Sequence, residues 1–99
     1  MSDSRVTLIV NVHAKPGAES RLGAALAALV PLTRSEEGCL QYAVHTAKND
    51  PTVFVIYESW RSQAALDVHL SMPYIKEFMA TVPDLVEGVP TPTMLQDLT

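Results

Sequence analysis

A single cysteine, Cys39, stands among 99 residues, so no internal disulfide can staple the chain. CxxC and HExxH runs are absent as well, which removes the commonest metal-ligand spacings, and no metal is expected. Basic residues are few: seven Lys and Arg against eleven Asp and Glu give a net charge of -4. Lys15, Arg21, Arg34, Lys48, Arg61 and Lys76 are scattered and form no stripe that could neutralise phosphates, so nucleic acid is not an expected partner. Long apolar runs are missing too. The richest, AALAALVPL at 24–32, is too short for a bilayer and contains Pro31, so no membrane association is expected. The first residues lack the basic and apolar regions of a signal peptide, and the expected location is the cytoplasm. What is present is the profile of an ordinary globular protein, 47% apolar and 18% charged. Its length suits one domain over 1–99, with the core at about 6–98.

The apolar residues give the element order. VTLIVNVH (6–13) is β-branched and apolar over a strand's length, and Lys15-Pro16-Gly17 punctuates its end. From Ala18 to Arg34, Leu22, Leu26, Leu29 and Val30 recur at helical spacing in an alanine-rich stretch. CLQYAVHT (39–46) and TVFVIYESW (52–60) read as strands joined by the AKNDP loop. Ser62 is an N-cap candidate for a helix to about Leu70; Pro73 interrupts it, and Tyr74, Phe78 and Val82 begin a second helical stripe. Val89 to Leu98 reads as a last strand, held to an edge by Pro90 and Pro92. This is a β-α-β-β-α-β order: an α+β, ferredoxin-like protomer with an antiparallel four-stranded sheet.

Strand alternation divides each strand into two faces. The first strand separates Val6, Leu8, Val10 and Val12 from Thr7, Ile9, Asn11 and His13; the third separates Val53, Val55 and Tyr57 from Phe54, Ile56, Glu58 and Trp60. Both helices of this topology cover one side of the sheet. The purely apolar set, Val6, Leu8, Val10, Val12, Val53 and Val55, is expected on the open side, where it would join two copies into a homodimer. The mixed set then lies under the helices. His69, on the helical face of Leu66 and Ala65, would converge there with Asn11, Glu58 and Trp60, beside Ile56, with Tyr74 and Phe78 closing a small pocket.

Three segments, TRSEEGCLQYAVH (33–45), DPTVFVIYESW (50–60) and AALDVHLSMPYIKEF (64–78), make the chain similar to the antibiotic biosynthesis monooxygenase family, in particular its small quinol monooxygenases. The resemblance covers about Val6 to Leu98 and implies a dimeric α+β barrel. It also implies oxidation of quinols, anthrones or related polyphenols by O2 with no metal or flavin. Haem-degrading relatives share an asparagine and a tryptophan at the positions of Asn11 and Trp60. Their haem-ligating histidine falls where this chain has Phe78 or Met79, which argues against haem. His69 matches the histidine of the quinol-oxidising and isomerase branches, several of which carry a second histidine where Tyr74 stands.

Taken alone, His69 reads as a buried histidine satisfied by a carbonyl or by Glu58; the resemblance shifts it toward a base for a phenolic proton. Glu58 is either a solvated strand-end carboxylate, the partner that orients His69, or itself the base. Trp60 is a packing residue whose face could also hold an aromatic substrate. Asn11, an amide in an apolar strand, must find partners and could bind a substrate oxygen. The expected function is a cofactor-independent oxygenase with catalytic His69, Asn11 and Glu58, and a substrate wall of Trp60, Tyr74, Phe78 and Ile56. Its partners would be a small phenolic, quinol or polyketide-like aromatic and O2. An isomerase using the same base and a dimeric small-molecule-binding protein are the rival readings, with haem degradation last.

Overall fold

The computed structural model describes residues 5–99. Its elements run β1 (Val6–His13), α1 (Glu19–Arg34), β2 (Cys39–Ala47), β3 (Asp50–Trp60), α2 (Gln63–Leu70), α3 (Pro73–Leu85) and β4 (Thr91–Leu95). The four strands form one antiparallel sheet in the order β2-β3-β1-β4, the ferredoxin-like α+β arrangement.

Local chemistry accounts for most of the boundaries. The turn before α1 uses Gly17 at φ 83, a left-handed conformation open to glycine. Ser62 caps α2 by accepting the Ala65 N–H at 3.1 Å. Pro73 opens α3 at its first turn, where its missing N–H costs nothing, so the second helical region is two helices and not one. β4 is shorter than the expected Val89–Leu98 and exposed throughout. It has one neighbour, β1, and its Pro92 stands opposite Val10 with no N–H to give the ladder. No helix among the described residues is long and apolar enough to cross a membrane.

The helices cover one face of the sheet, but β1 presents to them the opposite side from the one its sequence suggested. Leu8 pairs with Glu58, Val10 with Ile56 and Val12 with Phe54, and directly opposed residues share a face. The set Val6, Leu8, Val10 and Val12 therefore lies with Phe54, Ile56, Glu58 and Trp60, against the helices, and not with Val53 and Val55 on the open side. Leu8 and Val12 are buried there, packed with Leu22, Leu26 and Leu29 of α1, Leu66 of α2 and Ile75, Val82 and Leu85 of α3. Asn11 stands opposite Val55 on the far face and is exposed. The reason is energetic: the all-apolar side of β1 gains most from being covered, at roughly 1.5–3 kcal/mol per fully buried side chain. An amide on the outer side can bind water instead.

Candidate functional site

A cavity of about 360 Å³ lies between the covered sheet face and the helices. Its walls are mostly aliphatic, with Leu8, Val10 and Ile56 from the sheet and Leu66, Ile75 and Phe78 from the helices. Tyr42, Glu58 and His69 are the three side chains in the lining that bring polar atoms to it. An apolar cavity with a few convergent polar groups is the usual form of a small-molecule site.

His69, near the end of α2, is 3% exposed. Its Nδ1 lies 2.8 Å from Glu36 Oε2, and the hydroxyl of Tyr74, from α3, donates to that same oxygen. An ionised carboxylate only accepts, so Nδ1 carries the proton and Nε2 is the nitrogen left with a lone pair. The imidazole is backed by Trp60, with ring centroids 4.6 Å apart, while Tyr42 lies at 5.9 Å.

Glu36 reaches this point because the connection after α1 is folded tightly. Its N–H donates to Thr33 O and its carbonyl accepts from Cys39 N–H. Gly38 is pressed against α2: a β-carbon there would overlap Ala65 Cβ. The Gly38 carbonyl accepts the Arg61 N–H at 2.8 Å, tying the connection to the end of β3.

Glu58 and Trp60 point the same way from β3, two residues apart, and Trp60 Nε1–H donates to Glu58 Oε1 at 2.9 Å. Burial holds the Glu58 carboxyl above the ordinary carboxylate range; the Trp60 bond and His69 pull the other way, and Glu36 adds to the rise. Tyr74 is pushed up to about 12 by burial and by its bond to Glu36. Burial and the neighbouring Glu58 raise Tyr42, and burial also raises the Cys39 thiol, with Glu36 and Glu58 adding to it.

The structure thus brings His69, Glu58, Ile56 and Phe78 to one cavity. It does not bring Asn11, which is on the opposite face of the sheet. Trp60 is fully buried behind the wall, holding Glu58 and backing His69, and is not among the lining residues. Tyr74 likewise serves Glu36 and does not line the cavity. The hydrogen-bond partner of His69 is Glu36, not Glu58. Sequence reasoning missed Glu36 because nothing in the connection after α1 distinguishes it from its neighbour Glu37. Glu37 is a solvated charge, 3.7 Å from exposed Arg61. The usable signal was His69 itself: a buried imidazole needs a partner, and carboxylates outside its own neighbourhood had to be weighed. Among the described residues no three His, Cys, Asp or Glu side chains gather as a metal ion would require.

Comparison with known proteins agrees with this architecture. Rv0793 of Mycobacterium tuberculosis is 34% identical over 95 residues, 96% of this chain and 93% of that protein. The probable quinol monooxygenase YgiN of Escherichia coli is 31% identical over 87 residues, 78% of this chain and 84% of that protein. The uncharacterized protein sll1783 of Synechocystis is 32% identical over 85 residues, and this chain spans only 58% of its length. Among solved structures, PA3566 of Pseudomonas aeruginosa superposes with a TM-score of 0.92 at 34% identity, covering 100% of this chain and 98% of that one. The profile of one family matches residues 5–81, taking in β1 to most of α3 and so His69 with both of its carboxylate neighbours. The chain belongs to the antibiotic biosynthesis monooxygenase family.

Proposed function

We propose that the protein is a monooxygenase that oxidises a small phenolic or quinol-type aromatic with O2 in the apolar cavity, with His69 as the base. The observation that carries this reading is the placement of His69. It lies on the cavity wall with one nitrogen held by a buried carboxylate, as a general base must be oriented. Nε2 takes the phenolic proton, and Glu36 offsets the charge that forms on the ring. The aliphatic walls exclude water and favour a flat apolar substrate.

O2 reacts slowly with most organic molecules, and the substrate anion answers this by supplying the electrons itself, without metal or flavin. The anion and O2 form a C–O bond, and the resulting peroxide takes up a proton. As the second hydrogen leaves that carbon as a proton, the O–O bond breaks, one oxygen stays as a carbonyl and the other departs as water. The test is O2 uptake by the purified protein, freed of metals, against quinols, anthrones and catechols. Turnover without O2 uptake would make the protein an isomerase using the same base. Binding with neither would make it a binding protein.

We also propose that two copies pair through the open sheet face. That face carries Ile9, Asn11, Ala43, His45, Val55 and Tyr57 across three strands, and no charged residue among them. Loss of charge from the centre of a surface is a mark of interfaces. Sedimentation at micromolar concentration tests this; a monomer that Val55→Asp leaves unchanged would overturn it.

A further inference from the structure

We propose that Glu58 acts as a neutral carboxylic acid in the cavity wall, its Oε1 accepting from Trp60 and its Oε2–H offered to a second oxygen of the substrate. This rests on the reading of the cavity as the substrate site, and it narrows the substrate. The ring must carry two oxygens, a hydroxyl that gives its proton to His69 and an acceptor conjugated to it that hydrogen-bonds Glu58.

Two buried carboxylates, Glu36 and Glu58, flank one imidazole, and their donors decide which of them holds a charge. Glu36 Oε2 accepts from both His69 Nδ1 and the Tyr74 hydroxyl. Among the described residues Glu58 accepts from Trp60 alone. Its cross-strand neighbours on this face are Leu8 and Tyr42, neither a cation. Among the described residues His69 is the one group facing it that could carry positive charge, and that imidazole is committed to Glu36. Negative charge therefore settles on Glu36, and a second charge at Glu58, 6% exposed, would be buried without compensation. The upward displacement of the Glu58 carboxyl by burial agrees with this.

The Trp60 bond then sorts the two oxygens. Nε1–H must meet an acceptor, so Oε1 is the carbonyl-like oxygen and the proton sits on Oε2, available to the occupant of the cavity Glu58 lines. When His69 removes a proton from one end of a conjugated substrate, charge spreads to the oxygen at the other end. A donor waiting there stabilises the anion without leaving its own proton. Base and acid differ because their surroundings differ.

Two measurements test this. Difference infrared at neutral pH should show the carbonyl stretch of a protonated carboxylic acid that disappears in Glu58→Gln and persists in Glu36→Gln; no such band in the wild type overturns the proposal. Calorimetric binding of 4-hydroxyacetophenone, which has the second oxygen, is compared with that of 4-ethylphenol, which lacks it. Wild type should prefer the ketone by about tenfold, the upper end of what one hydrogen bond between neutral groups contributes. Glu58→Gln keeps an acceptor for Trp60 and an N–H for the ligand, so it should keep the preference, while Glu58→Leu should lose it. Loss in Glu58→Gln as well would mean that the preference does not come from a donor at this position, and would overturn the proposal. If neither phenol binds, the cavity reading fails and this one with it; a missing infrared band with normal binding removes the Glu58 proposal alone.

Discussion

Gly38 and Ala65 are in such close contact that a methyl group on Gly38 would occupy the same space as the Ala65 side chain. Ala65 and His69 are four residues apart and share one face of α2. Glu36 is two residues before Gly38. The distance between a loop glycine and a helix alanine therefore sets whether the carboxylate reaches the imidazole.

Gly38→Ala should separate the connection from α2 and cost about 1–3 kcal/mol, the usual scale of overpacking. Turnover should fall with it, because Glu36 is drawn away from His69. Adding Ala65→Gly makes room for the new methyl, so the double variant should regain most of both losses. Thermal melting and turnover of all three variants check this; no recovery in the double variant would show that the contact does not position Glu36.

His69→Ala should lower turnover of an accepted quinol by roughly 10²–10⁴-fold, the range of general-base catalysis. It should also cost about 1–3 kcal/mol of stability, since buried Glu36 loses a donor. Glu36→Gln separates the two effects. The amide fills the same space and keeps a hydrogen bond but cannot offset an imidazolium, so kcat should drop with only a small change in melting. Unchanged kcat in Glu36→Gln would reduce Glu36 to a packing residue.

The burial of Glu58 has a consequence for stability against pH. Its folded value is raised above the ordinary carboxylate value of 4.5, so between the two the folded state holds a proton that the unfolded state has released. Stability from this group is fully present below that ordinary value and is lost as pH rises through the raised one. Glu58→Gln cannot titrate. Relative to wild type it should gain melting temperature as pH rises from the acid range toward neutral, and the two curves should run parallel once Glu58 is ionised in both states. A difference independent of pH across that range would sink this account.

Asn11→Ala should leave turnover within about twofold of wild type, because Asn11 is exposed on the sheet face away from the cavity. Steady-state kinetics suffices. A large fall in turnover would mean that chemistry takes place on the other side of the sheet.

The element order was legible because its signals are local. Leucines at helical spacing mark α1, Ser62 and Pro73 punctuate α2 and α3, and β-branched runs mark the strands. The facing of β1 was not, because alternation separates two sets of side chains without saying which way either points. That is settled by the register with β3, a pairing of residues some fifty apart, such as Leu8 with Glu58. Asn11 misled for this reason. The candidate site divides along the same line: His69 and Glu58 stood out as polar residues among apolar ones. Glu36 did not, because its burial comes from a loop pressed onto a helix by Gly38, a contact between distant parts of the chain.

Trp60 is the chain's one tryptophan. It is fully buried, donates to Glu58 and packs against His69 with the two rings tilted. Indole emission is sensitive to the charge of an adjacent imidazole and to the partner of its N–H. All tryptophan fluorescence of this protein therefore originates at the site, one side chain removed from whatever fills the cavity. The protein comes with its own optical probe: protonation of His69 or entry of a ligand can be followed in real time in the unlabelled protein, with no other tryptophan to subtract.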